Sequence, residues 1–165
     1  MAKTLYLVRH AKSSWTDLSL DDFDRPLNKR GLHDAPEMGR RLKKRGIKPD
    51  IILCSPAKRT WQTVDLLLKE IGGSISNVQF EESIYEATVE TLANLIQSLS
   101  DTCTSAMIIG HNPSMHELAD WLSDTKIERM PTCAIATFEI SSPRWQSLSA
   151  DSGTLVDFDY PKKSH

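Results

Sequence analysis

Apolar residues come along this chain in short blocks, separated by polar, charged and turn-forming stretches. Leu5–Val8, Ile51–Cys54 and Ala106–Gly110 are continuous apolar runs, the pattern of strands buried on both faces. Between them the apolar period becomes helical. Asn28 caps a helix reaching about Arg45, with Gly46 as its stop and Leu32, Ala35, Gly39 and Leu42 as its inner stripe. Pro36 lies inside it and is expected to kink or split it. Ser55–Pro56 reads as a serine cap followed by a first-turn proline, opening a helix through Leu66–Leu68 to Ile71 that stops at Gly72–Gly73. Val78–Phe80 is a short strand candidate. Val89 to Leu99 is helical, with Leu92, Leu95, Ile96 and Leu99 on one face. His111–Asn112–Pro113 repeats the cap-plus-proline device before a helix to about Leu122. Beyond Met130 the texture turns to strands: Ala134–Ile140, Trp145–Leu148 and Leu155–Phe158.

Strand alternating with helix predicts an α/β fold around a mostly parallel sheet. With 165 residues, no internal repeat and no linker, the expectation is a single domain over 1–165, with 161–165 a loose tail. The polar stretch Lys12 to Arg25 exceeds ordinary connections and is expected to be functional.

Composition narrows the function. A hydrophobic share of 39% and a charged share of 25% exclude general disorder. The net charge of −2 gives no basic field for a nucleic-acid partner, and no apolar run could span a bilayer. Met1 to His10 runs straight into a strand without a signal-peptide core. Cys54, Cys103 and Cys133 are odd in number and form no CxxC pair, so free thiols in a cytoplasmic protein are expected. Residues 1–50 carry a net +5 and the remainder −7. Arg40, Arg41, Lys43, Lys44 and Arg45 read as the wet face of one helix. Arg9, inside an apolar strand, does not, and it suggests the wall of an anion site.

Open parallel sheets bind ligands at the carboxyl ends of their strands. Three predicted strands end there in Arg9–His10, in Ser55–Pro56 with Arg59 one turn on, and in Gly110–His111–Asn112. Two guanidinium forks and two helix N-termini suit a phosphoryl dianion. A neutral histidine at its centre can attack phosphorus in line. The competing arrangement is a metal site from His10, His111 and the Asp21, Asp22, Asp24 cluster. It lacks a short paired histidine spacing, and the arginines would repel a cation, so neither metal nor cofactor is expected. Arg25 is expected to hold its loop through Asp22 or Asp24. Ser14 reads as a loop hydroxyl, and His33, His116 and His165 as structural or solvated. Trp15, Trp61, Trp121 and Trp145 read as packing residues.

These residues also carry a family resemblance. Leu7–Ala11, Ser55–Arg59 with Thr63, and Gly110–Asn112 resemble the motifs of the histidine phosphatase superfamily, the phosphoglycerate-mutase-like group. Arg9 to Trp15 and Asp24–Asn28 with Arg30–Gly31 resemble its short, SixA-type phosphohistidine phosphatase branch. The resemblance covers about residues 3–122, in order and spacing. It implies a three-layer sandwich with a mostly parallel sheet between helices. It implies His10 as nucleophile, Arg9, Arg59 and His111 on the phosphoryl group, and Glu86, the nearest match, as the acidic proton donor. Ser13 reads by itself as a loop hydroxyl, with a phosphate contact as the alternative. The family usually has glycine at the position of Ala11. Mutases have asparagine where this chain has Thr16, which argues against mutase activity. The expected partner is a phosphorylated protein, with a small phosphate ester as the alternative. A short chain has little room for segments that would cover the site.

Overall fold

The computed structural model describes residues 2–164. Its strands are β1 (Lys3–Arg9), β2 (Ile51–Cys54), β3 (Gln79–Phe80), β4 (Ser105–Gly110), β5 (Ile135–Ile140) and β6 (Gly153–Asp159). They form one sheet ordered β3-β2-β4-β1-β5-β6. The first four are parallel, and β5 and β6 close the far edge antiparallel. The helices are α1 (Lys29–Lys44), α2 (Lys58–Ile71), α3 (Val89–Gln97) and α4 (Ser114–Leu122).

Alternation along β1 divides the core. Tyr6 and Val8 point to one face, where Ala35, Met38 and Leu42 of α1 and Val64 and Leu67 of α2 cover them. Leu5 and Leu7 point to the other, covered by Leu92 and Ile96 of α3, Met115 and Leu118 of α4, Phe138 and Trp145. The result is the α/β three-layer sandwich with a mostly parallel sheet that the sequence predicted.

Local expectations fail at four places, each for a physical reason. Helix α1 runs unbroken through Pro36. The carbonyl left without its amide belongs to Leu32, which is half exposed, so water can reach it. Leu32 is therefore not in the inner stripe, which consists of Gly31, Ala35, Met38 and Leu42 with Asp34 and Gly39. Helix α2 starts at Lys58 with Ala57 at its cap, not at Ser55. The Ser55 hydroxyl has a different partner, described below. Helix α4 likewise has Pro113 at its cap, while the Asn112 side chain accepts from the His116 amide at 3.2 Å. Trp145–Ser147 is a 3-10 turn rather than a strand. Its indole is fully buried and donates to the Cys103 carbonyl, so burial of one large ring, not sheet pairing, explains that apolar patch.

The start of the expected tail is tied down: Arg41 donates to the Pro161 carbonyl at 2.8 Å, and the Lys163 ammonium reaches the Phe158 carbonyl. His165 lies outside the described residues. Among the described residues no helix is long and apolar enough to cross a membrane.

Candidate active site

Sheet register assembles the site. Arg9 pairs with Gly110 and Cys54 with Ile109, so β1, β2 and β4 end level with one another. The residues that follow them then meet. The His10 amide donates to the Gly110 carbonyl, and the Ser55 amide to the Ile109 carbonyl. The His10 and His111 rings stand 5.3 Å apart, tilted by 57°. Arg59 comes from the first turn of α2, where a buried cation opposes the helix dipole.

Hydrogen bonding sets the tautomer of each imidazole. His10 Nδ1 lies 2.6 Å from the Ala11 carbonyl, which can only accept. Nδ1 therefore carries the proton and Nε2 keeps its lone pair. Burial pushes the His10 pKa down to about 4, and the fields of Arg59, Arg9 and Arg25 act the same way against the opposing Ala11 bond. His10 is thus neutral, with a free Nε2, at ordinary pH. His111 Nε2 meets the Ser55 hydroxyl at 2.8 Å. The Ser55 oxygen accepts from the Ala57 amide, and among the described residues its proton has no acceptor other than Nε2, so Ser55 donates to Nε2 and the His111 proton sits on Nδ1. Burial, then His10 and Arg59, lower the His111 pKa to about 3. Ala11 is fully buried, and its amide donates to Thr63, whose hydroxyl donates to the Arg59 carbonyl; this chain braces the histidine strand against α2.

Three buried side-chain atoms among the described residues lack a hydrogen-bond partner: Arg9 Nε, Arg59 Nε and His111 Nδ1. Buried donors are ordinarily satisfied, and each orphan costs about 1–3 kcal/mol. All three belong to residues chosen from the sequence as phosphate ligands. Elsewhere on these guanidinium groups, Arg9 Nη1 donates to the Met130 carbonyl at 3.0 Å, and Arg59 uses both terminal nitrogens on Asp22.

Asp22 is a site residue that motif reading did not assign. Its carboxylate accepts from Arg25 at 2.7 Å, Arg59 at 2.9 Å and the Tyr85 hydroxyl at 2.7 Å. These donors hold its pKa well below the usual carboxylate range. Arg25 is fixed through Asp22, as expected from its loop. It also donates to the Ser13 hydroxyl and the Ser14 carbonyl, and Trp15 covers its face at 3.2 Å. Tyr85 was also missed. Its ring meets Phe23 and His111 edge-on, with centroids 5.2 and 5.5 Å away. Burial and the Asp22 carboxylate push its phenol pKa up to about 12. A loop tyrosine next to a candidate acid was the only signal available.

The structure thus brings together His10, Arg9, Arg59 and His111. Ser13 faces Arg25 rather than either imidazole. Glu86 is exposed beside Tyr85, at a left-handed backbone φ of 56°, and its charge acts on the Tyr85 phenol. Cys54 and Cys133 are buried free thiols whose pKa burial raises.

Comparison with known proteins identifies the family and the fold. Residues 5–102 match the histidine phosphatase superfamily (branch 1). An uncharacterised chloroplastic protein of Arabidopsis thaliana is 37% identical over 161 residues, covering 93% of this chain and 73% of that one. A candidate phosphohistidine phosphatase SixA from Agrobacterium tumefaciens superposes with a TM-score of 0.81 at 28% identity, over 96% of this chain and 98% of its own. The protein histidine phosphatase SixA complexed with tungstate gives a TM-score of 0.82 at 22% identity, over 96% and 97%, a likeness of fold.

Proposed function

The chain belongs to the histidine phosphatase superfamily, in its SixA-type branch, and from that premise we propose that it hydrolyses protein phosphohistidine through a covalent phosphohistidine on His10. The observation that carries this reading is the set of three orphaned donors, Arg9 Nε, Arg59 Nε and His111 Nδ1, buried around a neutral imidazole. A phosphoryl group has three equatorial oxygens to receive them.

The His10 Nε2 lone pair attacks phosphorus. The N–P bond forms as the bond to the substrate nitrogen breaks, and that electron pair leaves with the substrate imidazole. Arg9, Arg59 and His111 hold the equatorial oxygens while charge redistributes. Water then attacks phosphorus. The His10–P bond breaks, its pair returns to Nε2, and inorganic phosphate departs with the surplus proton lost to solvent. An imidazole leaves more readily than an alkoxide, so this substrate makes little demand on a general acid. The exposed position of Glu86 fits that demand, and Glu86 is assigned as the donor for ester substrates only. Buried free thiols fit a reducing, cytoplasmic setting.

The test is rapid-quench labelling. Wild type should carry acid-labile phosphate on His10, and His10→Ala should lose both label and turnover while staying folded. Label on another residue overturns the mechanism. Turnover is compared on phosphohistidine protein, phosphoserine peptide and p-nitrophenyl phosphate. Preference for either ester overturns the substrate class.

A further inference from the structure

Asp22 is the most heavily engaged carboxylate near the site, and neither the motifs nor the mechanism above uses it. It follows His10 by twelve positions, on the loop that opens after β1. Its backbone carbonyl accepts from Arg59 Nη1 at 2.6 Å and its carboxylate from Arg59 Nη2 at 2.9 Å. Both terminal nitrogens of that guanidinium are thereby held, and its third nitrogen, Nε, is buried without a partner. A guanidinium is planar, so pinning two corners determines where the third points. Arg25 holds the same carboxylate from the other side. Arg25 Nε and Nη2 are themselves engaged by Ser14 and Ser13, so it anchors the loop instead of offering a donor to a ligand.

Charge gives Asp22 a second consequence. Besides their effect on each other, His10 and His111 feel the charges of Arg9, Arg25, Arg59 and Asp22. With both imidazoles neutral, these three cations and Asp22 sum to +2 before the exposed Glu86 carboxylate beside Tyr85 is counted. That matches one phosphoryl dianion and leaves nothing for a second anionic group on the substrate. The half-exposed Asp22 carboxylate instead repels one.

We propose that Asp22 is the positioning residue for Arg59 and the determinant that restricts the site to substrates whose only anion is the phosphoryl group. The proposal rests on the phosphoryl reading of the site. It narrows that reading to phosphorylated groups with neutral or basic surroundings, and it disfavours phosphorylated acids and bisphosphates.

The experiment uses Asp22→Asn and Asp22→Glu. Whichever way the asparagine amide turns, its NH2 meets a donor, Arg25 on one side or Arg59 and Tyr85 on the other. Asn therefore loses both grip and charge. Glu keeps the charge. Affinities of glycerol 3-phosphate and 3-phosphoglycerate, which differ by a carboxylate, are measured by calorimetry on the three proteins. Wild type should favour glycerol 3-phosphate by about tenfold, the size of one unit charge a few ångströms away when water screens it fully. Asp22→Asn should erase that preference, and Asp22→Glu should retain it. With p-nitrophenyl phosphate, Asp22→Asn should lower kcat about tenfold, with a smaller change in KM, as loss of orientation requires. Equal discrimination in wild type and Asp22→Asn, or an unchanged kcat, overturns the proposal. Calorimetry needs no turnover. An inactive wild type that still discriminates therefore refutes the phosphatase reading and leaves the role of Asp22 in charge selection standing.

Discussion

Single side chains decide the protonation of this site. His10 and His111 are both held neutral by burial, with folded pKa values of about 4 and 3 against an ordinary 6.5. The unfolded chain therefore binds more protons than the native one below pH 6.5, and stability follows that difference. It is fully present above about 6.5 and falls as pH drops toward 4. Urea midpoints from pH 7.5 to 4.5 should decline, and His111→Asn should flatten the decline. An unchanged slope in the variant would mean that His111 is already protonated in the native state. Ser55 belongs to the same scale. Its hydroxyl fixes the His111 tautomer, and Ser55→Ala frees it while leaving a buried nitrogen unpaired, at a cost of about 1–3 kcal/mol. We expect a five- to fiftyfold fall in kcat/KM, read by steady-state kinetics, with nitrogen NMR reporting the mixed tautomer. Glu86→Gln should slow p-nitrophenyl phosphate less than an aliphatic ester, and phosphohistidine least, because need for a proton rises with leaving-group basicity.

At the scale of elements, the loop after β1 and helix α1 are locked together. A Cβ on Gly31 would sit 2.2 Å from the Lys12 carbonyl, a backbone atom that cannot rotate away. The Asn28 side chain caps α1 by accepting from the Gly31 amide at 2.9 Å, and the Asn28 amide donates to that same Lys12 carbonyl. Gly31→Ala should cost at least 1–3 kcal/mol, about the price of forcing extra atoms into a packed region. Because Lys12 is two residues from His10, kcat should fall as well. Asn28→Ala removes only the cap, and about 0.5–2 kcal/mol is expected with kcat nearly unchanged. Chemical denaturation beside kinetics separates the two. The expected cap-plus-proline openings were shifted because tertiary partners bid for the same side chains. Ser55 serves His111, and α2 starts three residues later.

For the whole molecule, the sheet is what turns three distant peptides into one site. Arginines from β1 and α2 supply the positive charge on which phosphoryl transfer depends, so turnover should persist in EDTA. Loss of activity restored by a single divalent ion would contradict this account. Most of the architecture could be read from the chain. Two-sided burial demands continuous apolar strands, and helices on both faces demand amphipathic stripes, so β1, β2, β4 and the four helices are visible as patterns. Trp145 and Leu32 were misread because an isolated ring in a pocket and a solvated helix carbonyl have no periodicity.

The sequence by itself determined the strand–helix order and the Arg9–His10, Arg59 and His111 constellation, since these depend on local period and on motifs at strand ends. Tertiary structure alone decided the rest. Register brought His10 beside His111 and gave Ser55 to its imidazole. Loop packing carried Asp22 and Tyr85 to Arg59, and burial set both histidines neutral. Those outcomes depend on distances and desolvation between segments far apart in the chain, and neither quantity is written in residue order.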